Sequence, residues 1–180
     1  MSTPGPAPVD VVAHIASADE FSALISSNTY VVADFFADWC PPCKAIAPLY
    51  TKMATASSVP GRLAFAKINV DHVPAVAQSY GISSMPTFLF FADGRPEPVA
   101  TLPANGPTPA GPCVHLVDAK VAQIRGADPR ALNAVVLALT ALAKAAPPVN
   151  PDAHAQPKPS LVAGDANTVV VLQNGTPDTL

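Results

Sequence analysis

Tyr30-Val31-Val32-Ala33-Asp34-Phe35-Phe36-Ala37-Asp38-Trp39-Cys40-Pro41-Pro42-Cys43-Lys44 joins an apolar run to a pair of cysteines, and its reading decides the fold. The run up to Phe36 is β-branched and aromatic, the pattern of a strand covered on both faces. The prolines at 41 and 42 suit the first turn of a helix, where a missing N–H is harmless. Two of the chain's three cysteines therefore sit at a strand-to-helix junction, beside its only tryptophan. With no secretory signal in evidence, a C-x-x-C pair in that position reads as a redox dithiol. Unpaired N–H groups and the helix dipole lower the pKa of a thiolate at a helix start, which favours Cys40 as the attacking sulfur. Cys43, one turn on, is expected to be more buried and to resolve a mixed disulfide. Pro41 and Pro42 offer no N–H, so the nearest donors to Cys40 are Cys43 and Lys44. Two unreactive core cysteines are the weaker reading, since these need no proline pair between them.

Asp34 is a second anomaly, because an unpaired carboxylate inside an apolar strand is unfavourable. A solvated strand face would make it inert. A buried carboxyl with a raised pKa would instead pass a proton to or from Cys43 through water, and with Lys67 on a neighbouring apolar run the second reading is preferred. Met85-Pro86-Thr87 precedes another apolar run. A cis bond at Pro86 would lay the backbone of Met85 and Thr87 against the dithiol as an edge for substrate.

The flanking sequence alternates between strands and helices. Residues 9–15 read as a short strand, and Ser17 with Glu20 forms a capping box for a helix to about residue 26 that buries Phe21, Leu24 and Ile25. The helix after the dithiol continues through Ile46, Leu49, Tyr50 and Met53, with a kink expected at Pro48. Residues 63–70 form a buried strand, and Asp71 or His72 caps a short helix from Pro74 to Gly81. Thr87–Ala92 is a strand with Lys120–Arg125 as its hairpin partner, and Asp128-Pro129 opens a last helix. In that helix Leu132, Val135, Val136, Leu139 and Leu142 recur at helical spacing. The result is an α/β fold, a mixed central sheet with helices on both faces.

Proline marks the boundaries. Of 22 prolines, three lie in residues 1–8, six in 95–118 and six in 147–180. A disordered arm (1–8), a domain (9–146) with a proline-rich insert at about 95–118, and a disordered tail (147–180) follow. The net charge of −3 and ten scattered Lys and Arg residues argue against nucleic acid or an anionic membrane as partner. No apolar run opens the chain and no Lys or Arg precedes Lys44, so a cytoplasmic location is expected, with the nucleus as a second compatible compartment; a monomer is the expected form. Cys113 and His115 lie in the insert, which reads first as an exposed disordered loop and, on a sharper reading, makes Cys113 a regulatory thiol. Together with Cys40 and Cys43 they make an acceptable zinc set, but no bound metal is expected because that would silence the dithiol.

These residues resemble the thioredoxin family. The likeness is carried by residues 33–44, Pro48, Lys67-Ile68-Asn69-Val70-Asp71, Tyr80-Gly81-Ile82, Ser84-Met85-Pro86-Thr87-Phe88 and Gly126-Ala127-Asp128. The resemblance implies the thioredoxin fold and protein-disulfide reduction, with Cys40 as nucleophile, Cys43 as resolver, a redox-active Cys40–Cys43 disulfide, and Asp34 and Lys67 assisting proton transfer. It implies a substrate groove of Trp39, Pro41, Pro42, Met85, Pro86, Thr87 and Gly126, and electrons from NADPH through a thioredoxin reductase. Residues 17–38 are also similar to the thioredoxin domain of proteins that carry a PITH domain and associate with the proteasome. Pro41 stands where the family usually has glycine and is expected to shift the reduction potential. A thioredoxin-like adaptor with little reductase activity is the alternative.

Overall fold

In the computed structural model, which describes residues 11–101, 109 and 111–145, the elements follow in order. They are β1 (Val12–Ile15), α1 (Ala18–Ser27), β2 (Tyr30–Phe36), α2 (Pro41–Ser57), β3 (Leu63–Asn69), α3 (Pro74–Ser79), β4 (Thr87–Ala92), β5 (Arg95–Pro96), β6 (Val114–Val117), β7 (Lys120–Arg125) and α4 (Pro129–Ala145). The sheet order is β1-β3-β2-β4-β7-β6, with β5 hydrogen-bonded to β4. β1, β3 and β2 are parallel, while β4 and β7 are antiparallel to their neighbours. Strand alternation then sorts the core. Val32, Phe65, Phe88 and Phe90 face α2 and α4, whereas Val31, Phe35, Ile68 and Phe91 face α1 and α3. β2 is buried on both faces, as its unbroken apolar run requires.

Local chemistry explains where the helices start. Ser17 accepts from the Glu20 N–H, and the Glu20 carboxylate accepts from Ala16 N–H, so the capping box closes one residue further back than usual. Asp128 accepts from the N–H groups of Arg130 and Ala131 at the start of α4. α2 runs on through Pro48. Its buried side includes Cys43, Ile46, Tyr50 and Met53. The Tyr50 hydroxyl, wholly buried, lies 2.8 Å from the carbonyl oxygens of both Val32 and Ala66, two acceptors for its single hydrogen. It ties α2 to the two central parallel strands. Tyr50→Phe is expected to lower stability by about 1–2 kcal/mol with the fold retained, read from urea unfolding.

Four expectations are corrected. α3 is capped at Val73 with no side-chain bond, because the Asp71 carboxylate is taken by Trp39. Leu142 is 45% exposed although Ala143 beside it is fully buried, so it stands at the edge of the apolar face of α4 rather than within it. Cys43 is no more buried than Cys40, each being 3% exposed. The ends of the insert are not loop: β5 hairpins back on β4, Val99 bridges Val121, and β6 pairs with β7. Backbone hydrogen bonding recruits these segments to the open side of β4 and β7, which proline content does not reveal. The arm, the tail and insert residues 102–108 and 110 lie outside the described residues.

Candidate active site

The dithiol sits where β2 ends and α2 begins. Cys40 is the N-cap of α2, and Pro41 and Pro42 fill its first two positions. Cys40 and Cys43 are joined as a disulfide with their Cα atoms 5.3 Å apart. The Cys43 N–H donates to Cys40 Sγ at 3.2 Å, while the Lys44 N–H goes to the Cys40 carbonyl instead. The prolines thus leave one backbone donor on the sulfur, and a glycine at 41 would have carried another N–H.

Around this pair the chain closes a small apolar cluster of Ala37, Cys40 and Cys43, against which Met85 and Phe36 pack. The Met85–Pro86 bond is cis. Pro86 offers its carbonyl to Gly126 N–H at 2.7 Å, which brings the loops before β4 and after β7 together. Gly126 has φ +112°, a left-handed conformation suited to glycine, and a Cβ there would meet Cys113 Sγ at 3.1 Å. Thr87 was expected at the substrate edge, but it is buried: its hydroxyl donates to Ser84 and its backbone is paired between Phe35 and Arg125. Trp39 is 65% exposed, with its indole N–H donating to Asp71 at 2.9 Å.

Asp34 lies fully buried on the face of β2 that α2 covers, in register with Lys67 on β3. Neither carboxylate oxygen has a hydrogen-bond partner among the described residues. Lys67 Nζ stands 3.8 Å from Asp34 Oδ2 and 4.5 Å from the centre of the Phe36 ring. Burial pushes the Asp34 carboxyl up from 3.8 to about 7, against the opposing pull of Lys67. A carboxyl poised near neutrality suits proton transfer.

A cavity of about 890 Å³ lies elsewhere, lined by Tyr30, Phe91, Val99, Leu139 and Leu142 among others, and none of its lining residues is a cysteine. Among the described residues no group of three or more His, Cys, Asp or Glu side chains is placed to hold a metal, so Cys40, Cys43, Cys113 and His115 are not gathered as a zinc set. No described helix is long and apolar enough to cross a membrane.

Residues 12–107 match the family model described as Thioredoxin. The chain belongs to the thioredoxin family. A thioredoxin-like protein of Fusarium culmorum is 52% identical over 134 residues, covering 74% of this chain and 95% of that one. A thioredoxin of Neurospora crassa is 62% identical over 86 residues, 48% of this chain and 68% of its own. The crystal structure of Malassezia sympodialis thioredoxin superposes with a TM-score of 0.52 at 32% identity, covering 72% of this chain and 93% of that one. The dithiol is therefore that of a thiol–disulfide oxidoreductase of the protein-disulfide reductase type.

The sequence singled out Cys40, Cys43, Asp34, Lys67, Met85, Pro86 and Gly126; the structure gathers Cys40, Cys43 and Met85 in one cluster, ties Pro86 to Gly126, and pairs Asp34 with Lys67, whose Nζ lies over the Phe36 ring that packs on the dithiol cluster. It did not single out the hydroxyl of Tyr50 or the amide of Asn69. For Asn69 a signal existed: a polar residue closing a strand that is apolar apart from Lys67.

Proposed function

We propose that the chain reduces protein disulfides with Cys40 as the attacking thiolate and Cys43 as the resolving thiol, drawing electrons from NADPH through a thioredoxin reductase. The observation that carries this is the Cys43 N–H aimed at Cys40 Sγ at the mouth of α2. In the reduced protein the Cys40 thiolate attacks one sulfur of the target disulfide, and the other sulfur leaves as a thiolate and takes up a proton. Cys43, deprotonated with help from Asp34 through water, then attacks Cys40 Sγ. The second target thiolate leaves and the Cys40–Cys43 disulfide remains, so two electrons have passed to the target. Lys67 limits the charge on Asp34 as the proton moves.

Trp39 and Met85, with Pro86 and Gly126 behind them, supply the docking rim. The working location is the cytoplasm, where a reductase keeps the dithiol reduced, and the working form is a monomer. The test is a coupled assay with NADPH, a fungal or bacterial thioredoxin reductase and insulin. Sustained NADPH oxidation that depends on both the chain and insulin is the expected result. A folded, reducible dithiol that oxidises no NADPH with any reductase, and reduces no insulin with dithiothreitol, would leave an adaptor as the better description.

A further inference from the structure

Trp39 is large, apolar and mostly exposed, and a free indole at the end of a loop would sample many orientations. Two ties oppose this, one on each side of the indole, and both converge on Asn69, the last residue of β3. Asn69 is buried, 6% exposed. Its Nδ2 donates to Asp38 Oδ2 at 2.9 Å, and Asp38 is the residue immediately before Trp39. Its Oδ1 accepts from the backbone N–H of Asp71 at 3.0 Å, and Asp71 Oδ2 in turn accepts from the Trp39 indole. The orientation of the amide is dictated by its partners, because a carboxylate can only accept and an N–H can only donate. The Asn69 carbonyl also takes the N–H groups of His72 and Val73, closing the turn that carries Asp71.

We propose that Asn69 is a positioning residue for the reductase reaction, a buried amide that clasps the loops on either side of Trp39 and holds the indole in its docking orientation beside Cys40. The amide is required by the geometry. A leucine would leave the Asp71 N–H and the Asp38 carboxylate without their partner, and an aspartate would set two carboxylates against each other. The effect on catalysis rests on the docking role given to Trp39 above, whereas the clasp itself can be read without substrate.

Because Trp39 is the only tryptophan, its fluorescence anisotropy and acrylamide quenching report on the clasp directly. Asn69→Asp is expected to raise quenching and to raise KM for insulin about fivefold, the scale of one lost hydrogen bond, with kcat within twofold. Asn69→Asp combined with Asp38→Asn rebuilds the bond with donor and acceptor exchanged, and the new carboxylate still accepts from Asp71. This pair should return both readouts to near the parent values, a rescue that general loosening of the fold would not give. Asp38→Ala, on the surface, removes the same bond without touching the interior, so it decides the matter if Asn69→Asp fails to fold. Unchanged quenching in folded Asn69→Asp, or in Asp38→Ala, overturns the clasp, as does failure of the double substitution to restore quenching. Raised quenching with an unchanged KM supports the clasp and overturns the docking role of Trp39.

Discussion

Replacing Cys40 by serine is expected to abolish dithiothreitol-driven insulin reduction, a loss on the order of a thousandfold or more, since a serine hydroxyl is neither ionised at neutral pH nor able to enter a disulfide. The companion substitution Cys43→Ser should fail in a different way. Cys40 keeps its place at the N-cap and still attacks, but nothing displaces the target. Substrate should therefore accumulate covalently on Cys40, visible by mass spectrometry and released by added thiol. The asymmetry cannot come from burial, because the two residues are equally buried. It comes from position in the helix: Cys40 caps α2 and receives the Cys43 N–H, whereas Cys43 lies within the helix and faces the sheet. Trapping by Cys40→Ser instead of Cys43→Ser would reverse the assigned roles.

Asp34→Asn should make the protein more stable and less active. Between pH 3.8 and about 7 the native carboxyl keeps a proton that the unfolded chain has released. Stability therefore falls as pH rises through that window and stays low above it. The shift corresponds to roughly 4 kcal/mol once the carboxyl is ionised, an upper bound on the gain because Lys67 loses its partner in the variant. In urea unfolding, Asp34→Asn should exceed the parent at pH 8 and lose most of that advantage by pH 4. Its turnover should drop on the order of tenfold to a hundredfold through the lost proton transfer. A variant that gains no stability at pH 8 would show that Asp34 is solvated in the native state.

What was legible in the sequence was local. The dithiol, the proline pair and the apolar run of β2 declare themselves within fifteen residues, and Asp34 and Lys67 stand out because charge is out of place in strands. Their meeting was inferable only as a pairing of neighbouring strands; the parallel β2–β3 register sets them side by side. Features that depend on distant backbone were not legible. Tyr50 fits the helical stripe as an ordinary core residue, and only the approach of α2 to Val32 and Ala66 gives its hydroxyl a purpose. Asp71 has the chemistry of a helix cap, but a tryptophan 32 positions away competes for it. β6 is hidden in a proline-rich stretch because its stability comes from β7, with residues such as Val114 set against Ile124.

The way the insert is fastened has a consequence for how the chain can vary. Val99 bridges Val121 and Val114 pairs with Ile124, so the chain leaves and rejoins the same strand at points three positions apart. Between two fixed points, the closure entropy of a flexible connection grows only with the logarithm of its length, about 0.6 kcal/mol per doubling. A change of length between Val99 and Cys113 is therefore expected to leave β7 and Gly126 in place, since both anchor points are held by β7 itself. The sheet thus carries a built-in socket for variable sequence, open to diversification without renegotiating the redox centre.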